Sequence, residues 1–193
     1  MICIRGAVYI MYDLYTGGPC VRFIVIVSCS DLREIPDNQE VFVHPHTDQS
    51  IIVELLEYQE GMSDPDAARY HFEDVAASNG AGGRAEVLSV EPLPLAQLSL
   101  TRCSGAWALT GRQLVSKFTE RAQNTVTMHM ALLRIQQHAT DLLVTFNDPV
   151  VIHAASSSSV PVPGTSGSPA LWTVDDFRRL LCSFRLQDPA LFG

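Results

Sequence analysis

Lysine is almost missing from this 193-residue chain: Lys117 is the only one, and it stands in no glycine-rich turn. A GxxxxGK[ST] phosphate loop is therefore excluded, and any action on a nucleotide has to pass through another protein. Cysteine is scarce and scattered, with Cys3, Cys20, Cys29, Cys103 and Cys182 forming an odd set without a CxxC pair. That pattern builds no zinc finger and suits reduced thiols of the cytosol or nucleus better than a secreted disulfide framework. No apolar run approaches the roughly 20 residues of a membrane span; the longest near the start is VRFIVIVSC. Asp13 and the GGP break at Gly17 to Pro19 interrupt the apolar stretch that a signal peptide would need. Neither a GxSxG nucleophile elbow nor an HExxH zinc motif occurs.

Positive charge is short overall. Thirteen basic residues face 21 acidic ones, a formal net charge of −8, so the molecule as a whole should repel nucleic acid and anionic membrane. The 47% apolar content and the length suit one globular domain with a full core.

What is present in excess is acid, and it is concentrated. From Asp31 to Asp74 the chain carries 12 carboxylates and only two bases, Arg33 and Arg69, whereas the remainder is close to neutral. Three chemistries can use such a cluster: a metal site, an acid/base pair, or an anionic face for a basic partner. His44 and His46 form an H-x-H that could point two imidazoles the same way, but no third or fourth ligand stands at zinc spacing. Glu54 and Glu57 could stand together as an acid/base pair, which would require burial or unequal surroundings to separate their pKa values. A field of one sign also steers and orients a partner of the opposite sign, while any single carboxylate is ordinarily just a solvated group.

Periodicity predicts a helix over SIIVELLEYQE, with Ile51, Ile52, Leu55, Leu56 and Gln59 at helical spacing and Thr47 or Asp48 as N-cap. Glu54 and Glu57, three apart, would then share its exposed face. ARYHFEDVA alternates as a half-buried strand, and SNGAGG reads as a turn. AEVLSVEPL, SGAWALTGRQLVSKF, TVTMHMALLRIQ and TDLLVTFNDP are strand candidates of the antiparallel kind, the last two joined at QQHA by a hairpin. The segment from Ala154 to Pro169, rich in Ser, Pro and Gly, has little to bury and is expected to be disordered. WTVDDFRRLLCSF closes the pattern as a helix capped by Thr173 with Asp176, burying Phe177, Leu180, Leu181 and Phe184. The predicted class is α+β, or a layered α/β/α sandwich, with a central, mainly antiparallel sheet flanked by helices.

DLREIPDNQEVF, TDQSIIVELLE, YHFEDV, LLRIQQHATDLLVTFN and LQDPALFG together resemble, in order, the Ran guanine nucleotide release factor family. The likeness runs from about Ser30 to the end, which sets residues 30–193 as one domain and residues 1–29, with only LYTGGP echoing the family's opening strand, as a divergent segment. The resemblance implies a fold shared with the extrinsic proteins of photosystem II. It also implies a protein that binds the GTPase Ran, promotes guanine nucleotide release in nuclear import and needs no cofactor, working in nucleus and cytoplasm. Its acidic contact surface would include Glu54 and Glu57, with Asp37, Asn38, Gln39 and Glu40 beside them. A second role implied by the resemblance is that of an adaptor in trafficking of a voltage-gated sodium channel.

Overall fold

The computed structural model describes residues 3–4, 8–10, 27–28, 36, 38–44, 47–116, 122–156 and 171–186. In chain order these form strands β1 (Cys3–Ile4), β2 (Val8–Ile10), β3 (Val27–Ser28), β4 (Gln39–Val43) and β5 (Ser50–Glu57), then helix α1 (Asp64–Ser78). Strands β6 (Ala85–Pro92), β7 (Gly105–Ser116), β8 (Gln123–Ile135) and β9 (Thr140–Val151) follow, and helix α2 (Val174–Ser183) leads into β10 (Phe184–Leu186). A seven-stranded antiparallel sheet runs in the order β3-β4-β5-β9-β8-β7-β6, and a small sheet joins β1, β2 and β10.

Central strands buried on both faces explain the long apolar runs. Along β8 and β9, alternate residues enter two separate cores: Leu133, Leu142, Val144 and Phe146 pack under α2, whereas Met130, Leu132 and Leu143 pack under α1. Phe177, Leu180 and Leu181 of α2 lie in the first of these with Trp172 and Phe184, and the rings of Phe177 and Phe146 stand 5.8 Å apart. Each such buried side chain contributes about 1.5–3 kcal/mol. The cap predicted for α2 is present in full: Thr173 Oγ1 accepts from the Asp176 amide at 3.1 Å, and Asp176 accepts in return from the Thr173 amide at 3.0 Å.

Two elements differ from their sequence reading, and they exchange types. SIIVELLE is not a helix but β5, lying between β4 and β9; Thr47 and Asp48 therefore cap nothing and form a bend before it. A short apolar run gives the same pattern as a buried helix segment and as a strand covered on both faces, and the β-branched Ile51, Ile52 and Val53 favour the strand. ARYHFEDVA is not a strand but the body of α1, which packs against β6, β7 and β8. Its buried residues Ala67, Ala68, His71, Phe72 and Ala76 recur at helical spacing, and Pro65 with Asp64 and Asp66 opens its first turn. The hairpin at QQHA turns through a short 3-10 segment, Gln136–His138, with Ala139 in the left-handed region at φ 46°. Of the segment expected to be disordered, residues 157–169 lie outside the described residues, and Ala154 and Ala155 form a turn.

Candidate functional site

Because side chains alternate along a strand, Glu54 and Glu57 project from opposite faces of β5. Glu54 pairs in register with Leu143 and Gln39 and so faces the α1 side, where it is only 8% exposed. The shared exposed face expected of the two acids is thus corrected: Glu57 alone is exposed, at the last position of β5 opposite Thr140. Gln39 Nε2 donates to Glu54 Oε1 at 2.5 Å, tying β4 to β5 through their side chains. Burial lifts the Glu54 carboxyl above its ordinary value; the Gln39 hydrogen bond and His71 pull it down again, and the like charge of Asp74 pushes it up.

Asn38 sits where β4 meets its turn, exchanging bonds with Leu55: the Leu55 amide donates to Asn38 O at 2.9 Å and Asn38 Nδ2 donates to Leu55 O at 3.0 Å. Glu40, opposite Val53, is half-buried, and its carboxyl is also lifted by burial. Asp37 lies outside the described residues. Asn38, Gln39 and Glu54 are thereby brought together at one end of β4 and β5, with Glu57 beyond them on the other face.

His46 also lies outside the described residues, and His44 packs edge-on against Trp172 at 5.1 Å. Among the described residues no three His, Cys, Asp or Glu side chains gather as a metal site, and no helix is long and apolar enough to cross a membrane.

The sequence reading missed a buried polar network beside these acids. Arg134, 1% exposed on β8, donates through Nε to Asp141 Oδ1 at 3.1 Å and through Nη1 to Asp64 Oδ1 at 2.8 Å. Its Nη2 donates to Gln59 O at 2.7 Å, and its guanidinium lies 3.9 Å over the Tyr58 ring. Asp141 Oδ2 accepts from the Gln59 amide at 3.2 Å and lies 3.0 Å from His71 Nε2. Burial works against the charge on Arg134, but Asp64 and Asp141 outweigh it and raise its pKa. The signal was available: Arg134 and Asp141 are lone charges in the runs MALLRIQ and TDLLVTF, and a charge inside a buried strand demands a partner.

Neither Glu57 nor Glu60 joins the ion pairs of the described residues, which engage Asp64, Asp141, Glu86, Asp175 and Asp176. Exposed acids without cations of their own suit a partner bearing Lys or Arg.

Residues 22–149 match the family described as Ran-interacting Mog1 protein. The chain is 54% identical over 170 residues to the Ran guanine nucleotide release factor of Danio rerio, covering 87% of this chain and 91% of that protein. It is 48% identical over 168 residues to the human protein of the same name, covering 86% and 87%. Its fold is similar to the crystal structure of the Saccharomyces cerevisiae Ran-binding protein Mog1p, with a TM-score of 0.59 and 21% identity over 87% of this chain and 89% of that one.

Proposed function

The chain belongs to the Ran-interacting Mog1 family, and from that membership we propose that it binds the GTPase Ran through the acidic end of β4 and β5 and promotes guanine nucleotide release in nuclear import. The observation that carries the reading is Glu57: exposed at the end of its strand, in no ion pair among the described residues, and inside the chain's most acidic stretch. Relatives named Ran guanine nucleotide release factor and nuclear import protein support the partner and the nuclear-import setting, and nucleus and cytoplasm are the compartments this reading expects.

Release without bond chemistry requires a partner that binds the nucleotide-free GTPase more tightly than the loaded one, and by linkage nucleotide then weakens that complex by the same factor. Glu57 and its neighbours Asn38, Gln39 and Glu40 form the contact surface. Glu54, on the opposite face of β5 from Glu57, acts mainly by holding Gln39 and contributes its charge from within. No group here need be a nucleophile or a base, so the chain acts as a binding regulator and not as an enzyme.

The deciding experiment is a release assay with purified Ran loaded with labelled GDP or GTP. Faster release with this chain, abolished by Glu57→Lys, supports the reading. Unchanged release, with binding retained, would make the chain an adaptor.

A further inference from the structure

The connection from β5 to α1, tied at its start by the Tyr58 amide donating to Ala139 O at 3.0 Å, is bonded at several further points by one buried cation. Every described side-chain bond of Arg134 reaches this connection or the carboxylate that also holds it: Gln59 O, Met62 O at 3.3 Å, Asp64 Oδ1, the Tyr58 ring, and Asp141, which takes the Gln59 amide. His71 completes the cluster from α1, with Asp141 against it from β9 and Glu54 and Asp74 acting on the same region.

A buried ion pair is a poor way to gain stability alone. Desolvation cancels much of its attraction, and apolar side chains of equal volume often serve as well or better. What apolar side chains cannot do is bind the carbonyls of Gln59 and Met62 and the amide of Gln59. Those groups belong to the stretch that continues β5 immediately past Glu57 and carries Glu60. We propose that Arg134 is a positioning residue of the docking face: with Asp141 and Asp64 it fixes the course of Tyr58–Asp64, and so the direction in which Glu57 and Glu60 present their charge to a partner's Lys and Arg.

This inference rests on the docking reading above and adds its preorganisation. A loop already ordered in the free protein pays no ordering cost on binding, so the effect belongs to the lifetime of the complex. Electrostatic steering depends on the net field and is left in place.

The test replaces the whole cluster at once, Arg134→Met with Asp141→Leu and His71→Leu, so that no buried charge loses its partner among the three. Three readouts are taken: the thermal midpoint, hydrogen exchange at the Gln59 amide, and the rates of association with and dissociation from nucleotide-free Ran. The expected result is a midpoint close to wild type, Gln59 exchange and Ran dissociation each about ten-fold faster, and an unchanged association rate. Glu57→Lys runs beside it. If Glu57→Lys binds Ran normally, the docking reading and this inference both fall. If Glu57→Lys loses binding but the triple variant, with fast Gln59 exchange, keeps wild-type dissociation, the positioning role alone is overturned. Should the triple variant not fold, Arg134→Lys decides on the same readouts, since it keeps the charge beside Asp141 but lacks the fork that spans Gln59, Met62 and Asp64.

Discussion

Glu54 and Glu57 stand on opposite faces of one strand, the first buried toward α1 and the second exposed at the strand's end. Two acids that look equivalent in sequence should therefore fail differently. Glu57→Lys is expected to leave stability within about 0.5 kcal/mol and to abolish Ran binding. Glu54→Lys forces a longer side chain into a packed position and should cost about 1–3 kcal/mol. Thermal melts and Ran titrations of the two single variants check this, and equal melting losses would contradict the assignment of faces.

Burial gives Glu54 a second signature. Its carboxyl is raised above the ordinary 4.5, by desolvation first and by Asp74 in addition, against the opposing pull of Gln39 and His71. The folded state then holds this proton to higher pH than the unfolded chain, so its contribution to stability falls as pH rises from about 4.5 through the folded value. Glu54→Gln keeps an oxygen for Gln39 and carries no charge. It is expected to raise the thermal midpoint at neutral pH, to lose that advantage below about pH 4.5, and to weaken Ran binding. The same shift in midpoint at both pH values would show that Glu54 is not a strained carboxylate.

How much of this was legible in the sequence depends on which face each element buries. The strands β6, β7, β8 and β9 and the capped helix α2 were all readable, because their turn residues and the Thr173 to Asp176 cap are local signals. For β5, with Ile51 and Val53 in one core and Leu56 against the other, covering on both faces erased the alternation that marks a strand. In α1 the small Ala67, Ala68 and Ala76 make up three of the five buried positions, so Tyr70 and Phe72 dominated the pattern and suggested period two. The acidic site was visible as composition, but its division between two faces required the strand, and the Arg134 network required knowing that β8 and β9 place Arg134 opposite Asp141.

Encounter between an acidic face and a basic partner is screened by salt, over a Debye length of about 8 Å at physiological ionic strength. The association rate with Ran should fall as salt rises, while dissociation changes less. Stopped-flow measurements across a salt series read both rates. An association rate flat in salt would mean that the acids of β4, β5 and the following loop do not steer the partner.

A last expectation separates stability from the docking face. Gly111, on β7, is buried beneath the Phe72 ring, and a Cβ there would meet Phe72 Cε2 and Cζ and stand 3.0 Å from Glu86 O. Phe72 is itself 1% exposed among Ala68, Leu109 and Met130, so it has little room to move aside. Gly111→Ala is therefore expected to destabilise the fold by about 1–3 kcal/mol, as overpacking of a filled core does. Across the sheet Gly111 aligns with Met128, Asn147 and then Ser50, the far end of β5 from Glu57. Ran binding measured well below the lowered midpoint should accordingly match wild type. Weaker binding by a folded Gly111→Ala protein would show that α1, shifted through Phe72, takes part in the docking surface and that this surface reaches beyond the end of β5.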